Sequence, residues 1–346
     1  MNDPSPALSP ALSVVIPCHN EQDILPEFHR RLAAVMNSLA TPPAMADSAG
    51  KTQPPPWEAV YVNDGSHDLT LACLNTLAER DSHIRIISLS RNFGKEIALT
   101  AGLDHARATH SIIVIDADLQ DPPEVIAQLA AAWTADVDTV CARRSTRAGE
   151  TITRRLTAWM FYRAMARLGS RVIIPPDTGD FRLISRRLAD SLLLLRERHR
   201  FMKGLFAWVG FPSRTIMYDR APRPDGTSSF SYRSLWTLAV EGITSFSVIP
   251  LQISTGLGFL ISLLAMTYGA WIAGRTLLFG NPVAGYPSLM TVILFLSGVQ
   301  LMTIGIIGEY VGRIFNETKQ RPLYLTDSPT RPPETPLRQP ETDSIT

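Results

Sequence analysis

The sequence predicts an α/β protein: a mostly parallel open sheet with helices on both faces, followed by a C-terminal two-helix transmembrane hairpin. Three features lead there. From Ser13 to about Leu129, short β-branched runs alternate with segments of helical length. Those runs are apolar on both faces, the pattern of parallel strands covered from both sides. Further on, no Asp, Glu, Lys or Arg occurs between Glu241 and Arg275, or between Arg275 and Glu309.

The strands are read at "SVVIP" (13–17), "EAVYVND" (58–64), "IRIISLS" (84–90), "SIIVIDAD" (111–118) and "DTVCARR" (138–144). Helical patterns fill 21–39, 68–80, 95–108 and 123–134. The Pro-rich stretch 40–57 interrupts this order as a surface insertion loop. Residues 13–230 then form one cytosolic domain. Before it, 1–12 reads as a disordered tail, because an Asp and three prolines replace the basic and apolar regions of a signal peptide.

Each uncharged stretch exceeds the ~20 residues that cross a hydrocarbon core. Their best cores are 248–273 and 287–312. The loop between them carries only Arg275, whereas Arg214, Arg220, Arg223 and Arg233 precede the pair and Arg313, Lys319 and Arg321 follow it. By the positive-inside rule the loop faces out, and the domain and both termini are cytoplasmic. Residues 150–169, containing "TRRLTAWMFYRAMARLG" (153–169), suit an interfacial amphipathic helix, or one docked on its own domain. A juxtamembrane helix covers 231–247. The tail 313–346 is cytosolic and, rich in Pro, Thr and charge, disordered from about 326.

The 346 residues hold 33 Lys and Arg against 32 Asp and Glu, a net charge of +1. That balance speaks against a nucleic-acid-binding surface. Cys18, Cys73 and Cys141 lack C-x-x-C spacing and read as buried thiols. His105 and His110 are wrongly spaced for one helix face.

Chemistry enters at the strand ends. "VIPCHNE" finishes on Asn20 and Glu21, "VYVNDGS" on Asp64, and "VIDADLQDPPE" on Asp116, Asp118 and Asp121. In an open α/β sheet ligands bind at this edge. If the fourth strand persists, Asp116 and Asp118 project to one side, and like charges so close call for a cation. Oxygen ligands favour Mg²⁺ or Mn²⁺, completed by substrate phosphates. Neither G-x-x-x-x-G-K-[ST] nor G-x-G-x-x-G occurs, so a diphosphate would have to be held through the metal.

Together, "SVVIPCHNE", "VNDGS", "SRNFGKEIALTAGLDHA", "DADLQDPPE", "TGDFRLISRR", "RFMKGLFAWVGF" and "GEYVGRIFNETKQRP" resemble the family-2 glycosyltransferases that act on polyprenyl phosphates, those of the bactoprenol glucosyltransferase type above all, and the dolichol-phosphate mannosyltransferases more distantly. The resemblance runs from about Ser13 to Leu325. It implies the GT-A nucleotide-sugar-binding fold and the bacterial inner membrane. It also implies that Pro17, Asn20 and Glu21 line a nucleotide pocket, that Asp64 binds base or ribose, and that Asp116, Asp118 and Gln120 hold the metal. Lys95 would contact the diphosphate. Asp180 in "TGDFR" would position sugar or acceptor, a helix N-cap being its alternative. Arg144, Arg147, Arg200 and Lys203 would meet the acceptor phosphate. The family commonly has Ser-Lys-aromatic after the loop glycine. Here Ser228, Ser229 and Phe230 follow Gly226, so a usual lysine is missing and Arg223 is the candidate to compensate.

The function so implied is inverting, metal-dependent transfer of a hexose, glucose first, from a UDP-sugar to undecaprenyl phosphate for envelope glycan or lipopolysaccharide modification. Mannose or an amino sugar from another nucleotide is the neighbouring alternative. A processive polysaccharide synthase would bring Q-x-x-R-W and more spans, an aspartyl phosphatase a Thr or Val where Gln120 stands, and a membrane scaffold needs no acidic strand ends. The expected partners are the UDP-sugar, the polyprenyl phosphate and the lipid bilayer, with a homo-oligomer left open.

Overall fold

The computed structural model describes residues 10–45, 54–144, 178–198, 200–219, 249–279 and 285–327. Among them a seven-stranded sheet runs in the order β3-β2-β1-β4-β6-β5-β7. β1 (Leu12–Cys18) pairs in parallel with β2 (Trp57–Asn63) and β4 (Ser111–Val114), and β2 with β3 (Ile84–Ser88). β6 (Thr178–Ser185) enters antiparallel between β4 and β5 (Thr139–Arg144), and β7 (Ser213–Tyr218) returns parallel to β5.

The period-2 alternation of the strands builds two cores. Val14 and Ile16 face α1 (Leu25–Asn37) and α4 (Val125–Ala132), whereas Val15, Val60 and Val62 face α3 (Lys95–His105) and α5 (Arg186–Leu194). On α1, Leu25, Phe28, Leu32 and Met36 recur at helical spacing and are fully buried. Truncating one of these to Ala typically costs about 2–5 kcal/mol. α3 lies close on the sheet, because a Cβ at Gly102 would meet Val15 Cγ1 at 2.2 Å. That close approach fixes where the N-terminus of α3 emerges at the strand ends. α2 (Thr70–Arg80) and α6 (Met202–Trp208) complete the domain.

Several expectations need correction. The fourth strand stops at Val114, so Asp116 and Asp118 lie on a turn and do not share a strand face. Ile115 N–H still bonds Val15, after which the chain turns, with Leu119 at φ 55°. β6 and β7 have no counterpart among the expected strands. β6 buries an arginine, Arg182, which breaks the apolar run, and β7 is a largely exposed edge strand. Asp180 sits on β6 and not at a helix N-cap. The expected N-terminal tail already joins the fold at Pro10, whose carbonyl accepts Thr109 N–H, and Leu12 opens β1.

α7 (Ile249–Phe279) and α8 (Tyr286–Thr318) outrun the predicted spans. Phe259, Met266, Leu301 and Ile304 are each at least 63% exposed, an apolar surface that water would not tolerate at this extent. Ser254 Oγ donates to Thr303 Oγ1 at 3.1 Å across the pair, a polar tie between apolar helices. Among the described residues, Phe295–Thr318 is long and apolar enough to cross a bilayer, and Ser254–Tyr268 is a shorter apolar stretch. After α8 the chain does not become a free tail: residues 324–327 bond back to the α/β domain. The helices expected at 150–169 and 231–247, residues 46–53 of the insertion and 328–346 of the tail lie outside the described residues.

Candidate active site

The loops after β1, β2 and β3 lock one another at the carboxyl edge of the sheet. Asn20, at φ 57°, accepts His67 N–H through Oδ1 at 2.9 Å, and its own N–H donates to Ser66 Oγ. Glu21 N–H donates to Thr70 Oγ1 at 2.9 Å. Pro17 is half-buried in β1. Asp64 is buried, and its two oxygens accept Phe93 N–H at 2.7 Å and Gly94 N–H at 2.9 Å. Gly65, at φ 58°, is required next to it, since a Cβ there would lie 2.2 Å from the Arg91 carbonyl carbon. Asp64 thus holds the loop that delivers Lys95 to the start of α3.

Lys95 is where the predicted residues converge. Its Nζ donates to Asp116 Oδ2 at 2.6 Å and stands 2.8 Å from Asp180 Oδ2. The lysine side chain is 43% exposed, against 25% for Asp116 and 11% for Asp180, so the ammonium occupies an open rim above two sheltered carboxylates. Burial alone would lower the Lys95 pKa, but the Asp116 and Asp180 charges outweigh it and hold the group above the usual lysine range. Burial would raise Asp180, yet Lys95 and then Lys203 keep it well below the ordinary carboxylate range. Asp116 stays raised by burial, with Lys95 opposing only in part. Asp180 Oδ1 is buried and meets no hydrogen-bond partner among the described residues.

The acids that looked mutually repulsive therefore have separate partners. Asp116 has Lys95. Asp118 Oδ1 accepts Gln120 N–H at 3.1 Å, and Asp121 accepts the Tyr218 hydroxyl. Gln120 is buried, and its amide nitrogen meets no partner among the described residues. Among the described residues no three His, Cys, Asp or Glu side chains form a ready metal cage. A hard divalent ion nevertheless fits the donors, because Mg²⁺ uses one or two carboxylates and completes its shell with water and phosphate oxygens.

The basic residues divide. Lys203, half-buried on α6, bears electrostatically on Asp180 and Glu96. Arg200 is 5% exposed and donates to the Leu195 carbonyl, with Nη2 3.6 Å from Met202 Sδ, so its guanidinium faces the local fold. Arg144 ends β5 opposite Tyr218. Arg147, Arg223 and the Gly226–Phe230 loop lie outside the described residues.

Two further residues of the site lie within the segments quoted from the sequence but carried no expected role there. Glu96 accepts Met202 N–H at 3.1 Å, and burial, with Asp180 adding to it, pushes its carboxyl up to about 7. Arg182 lies over the Phe206 ring at 3.9 Å and helps keep Asp180 ionised. Reading "TGDFR" as a strand would have put Asp180 and Arg182 on one face.

Residues 13–193 match glycosyl transferase family 2, and residues 249–314 match the GtrB C-terminal hairpin. The chain belongs to glycosyltransferase family 2. An uncharacterized glycosyltransferase of Synechocystis is 46% identical over 91% of this chain and 94% of its own length. The bactoprenol glucosyl transferase of Shigella phage SfV is 44% identical over 91% of this chain and 97% of its own. Among solved structures, mannosyl-3-phosphoglycerate synthase from Rubrobacter xylanophilus aligns with a TM-score of 0.41 at 16% identity, covering 68% of this chain and 72% of that one. This glycosyltransferase thus carries a GT-A-like mixed α/β domain and a hairpin that associates it with a membrane.

Proposed function

We propose that the enzyme transfers glucose from a UDP-sugar to undecaprenyl phosphate at the cytoplasmic face of the bacterial inner membrane, with inversion at the anomeric carbon. The observation that carries this reading is the Lys95 ammonium, clasped by Asp116 and Asp180 at the sheet edge and open to a third anion. Similarity to bactoprenol glucosyl transferases along 91% of the chain supports the sugar and the lipid acceptor.

The acceptor oxygen belongs to a phosphate and is already anionic, so no strong general base is needed. Catalysis reduces to aligning that oxygen with the anomeric carbon and stabilising the diphosphate that departs. The carbon–oxygen bond to UDP breaks as the bond to the lipid phosphate forms. Lys95 takes the developing diphosphate charge while Asp116 keeps it oriented. Asp180 offers its unpartnered oxygen to a sugar hydroxyl. Pro17, Asn20 and Glu21 border the nucleotide, and Asp64 shapes its pocket through the Phe93 and Gly94 amides. Lys203, with Arg144, Arg147 and Arg223, draws in the acceptor phosphate, and the buried Arg200 supports that segment. Asp118, Gln120 and Asp116 would hold Mg²⁺ or Mn²⁺, which when bound neutralises diphosphate charge.

Two spans, with the short loop outside and both termini in the cytoplasm, keep the site at the depth of the lipid phosphate. Membranes carrying the protein, given undecaprenyl phosphate and a panel of radiolabelled nucleotide sugars, are expected to make a lipid-soluble product from UDP-glucose. Label entering lipid only from another nucleotide sugar, or entering no lipid, contradicts the assignment.

A further inference from the structure

From the last turn of α8 onward the chain is tied back to the catalytic domain at three places. Glu317 Oε1 accepts Arg198 N–H at 2.7 Å, and the Arg198 guanidinium donates to the Glu317 carbonyl at 3.0 Å and the Arg321 carbonyl at 2.7 Å. The Tyr324 hydroxyl donates to Asp104 Oδ2 at 2.9 Å, at the far end of α3 from Lys95. Leu325 to Asp327 then form an antiparallel rung on the end of β3. Thr326 pairs with Leu89, Ser90 N–H donates to the Leu325 carbonyl at 2.9 Å, and Asp327 N–H donates to the Ser88 carbonyl at 3.0 Å. Ser88 Oγ adds a bond to Asp327 Oδ2 at 2.8 Å.

β3 is one of the two edge strands of the described sheet, and an uncovered edge leaves backbone groups unpaired. The rung covers the end of that edge where β3 runs into the loop Leu89–Gly94, whose other end Asp64 grips through Phe93 and Gly94. Lys95 follows at once. The loop is therefore clamped at both ends, by Asp64 from within the domain and by the strap that descends from the second hairpin helix.

We propose that the strap Glu317–Asp327 is a positioning element of the donor site, which fixes the Leu89–Gly94 loop and so sets where Lys95 stands. Its meaning for catalysis rests on the donor-site reading given above. Through Arg198, the same strap also holds the segment leading to α6 and Lys203. The end of the membrane helix is thus tied to both sides of the site.

The test uses the full chain in lipid nanodiscs. Asp327→Pro removes the N–H that bonds Ser88, whereas Asp327→Asn keeps that N–H and a side-chain acceptor. With Asp327→Pro, amide exchange at Ser90, Phe93 and Gly94 is expected to quicken by about tenfold, a loss of about 1.4 kcal/mol of local protection. The KM for UDP-glucose should rise with it, and the KM for undecaprenyl phosphate should stay unchanged. Asp327→Asn should behave as the parent, and Tyr324→Phe should shift the same readouts by less. A strap of merely structural importance would lower the active fraction, and so kcat, without moving the donor KM. Unchanged exchange at Phe93 and Gly94 in Asp327→Pro, or exchange raised equally over the whole domain, overturns the proposal. If the parent enzyme ignores UDP-glucose, the donor assignment fails, and the exchange measurement still decides the clamp.

Discussion

Lys95 has three N–H donors on a compact charge, and two of them point at carboxylates 2.6 and 2.8 Å away. With 43% of its side chain exposed, the third direction is open to an incoming anion. Asp116 and Asp180 pre-orient the ammonium, which spares it reorganisation when a diphosphate begins to leave. Replacing Lys95 with Gln is expected to cut kcat by about 10²–10³-fold, the usual loss when one donor to a developing oxyanion is removed. Steady-state kinetics on protein of unchanged circular dichroism checks this. The members of the cluster are visible singly in the sequence, as D-x-D, "NFGKE" and "TGDFR". Their partnership is not, because 21 residues separate Lys95 from Asp116 and Asp180 reaches them only through an antiparallel strand pairing that leaves no local pattern. For the same reason the acidic turn reads, in sequence, as lacking any cation of its own, although Lys95 is built in beside it.

At the scale of elements, α1 to α4 and the strands they cover follow from periodicity, and their ends shift by a few residues where turns take over. β6 and β7 escape periodicity for different reasons: an arginine inside β6 hides it, and exposure hides β7. The packing of α1 and α2 against β2 also carries a polar seam that periodicity does not report. His29 on α1 is buried, with Nδ1 3.0 Å from the Tyr61 hydroxyl and Nε2 3.1 Å from Asp81 Oδ2. His83 shares that carboxylate at 2.6 Å and stacks on Trp57. Burial depresses the His29 pKa, with Asp81 opposing, so the folded chain binds a proton less readily than the unfolded chain does. The stability from neutral His29 is thus complete above the unfolded value of about 6.5 and is lost as pH falls below it toward the folded value. Burial would raise Asp81, yet the His83 and His29 hydrogen bonds hold it low, and its share is lost only at more acid pH, below the unfolded carboxylate value of about 3.9. Between pH 7 and pH 5 the thermal midpoint of the parent is expected to fall relative to that of His29→Gln, which cannot titrate at this position; Glu96, whose carboxyl is pushed up to about 7, acts in the opposite sense in both proteins and cancels from the comparison. A gap between the two that does not change with pH would exclude His29 as a source of pH dependence.

Across the whole molecule, a near-neutral charge, an α/β domain and two apolar helices are legible in composition and pattern, since long runs without charge mark apolar helices. The return of the chain after α8 is not. A Pro- and Thr-rich ending reads as disorder, and four backbone and side-chain bonds to β3 and α3 depend on geometry that composition does not encode. The proposed reaction joins the acidic turn to the membrane: Asp118, with Asp116 and Gln120, would hold a divalent ion to neutralise diphosphate charge near the depth at which a lipid phosphate sits. Sugar transfer by the full-length enzyme in nanodiscs, with UDP-glucose, undecaprenyl phosphate and Mg²⁺ or Mn²⁺, tests that link when parent and Asp118→Asn are compared with and without EDTA. The parent should form glucosyl lipid and release UDP only with free metal, and Asp118→Asn should be slower by about 10³-fold with its fold intact. Transfer that survives EDTA, or an Asp118→Asn enzyme near the parent rate, would contradict it.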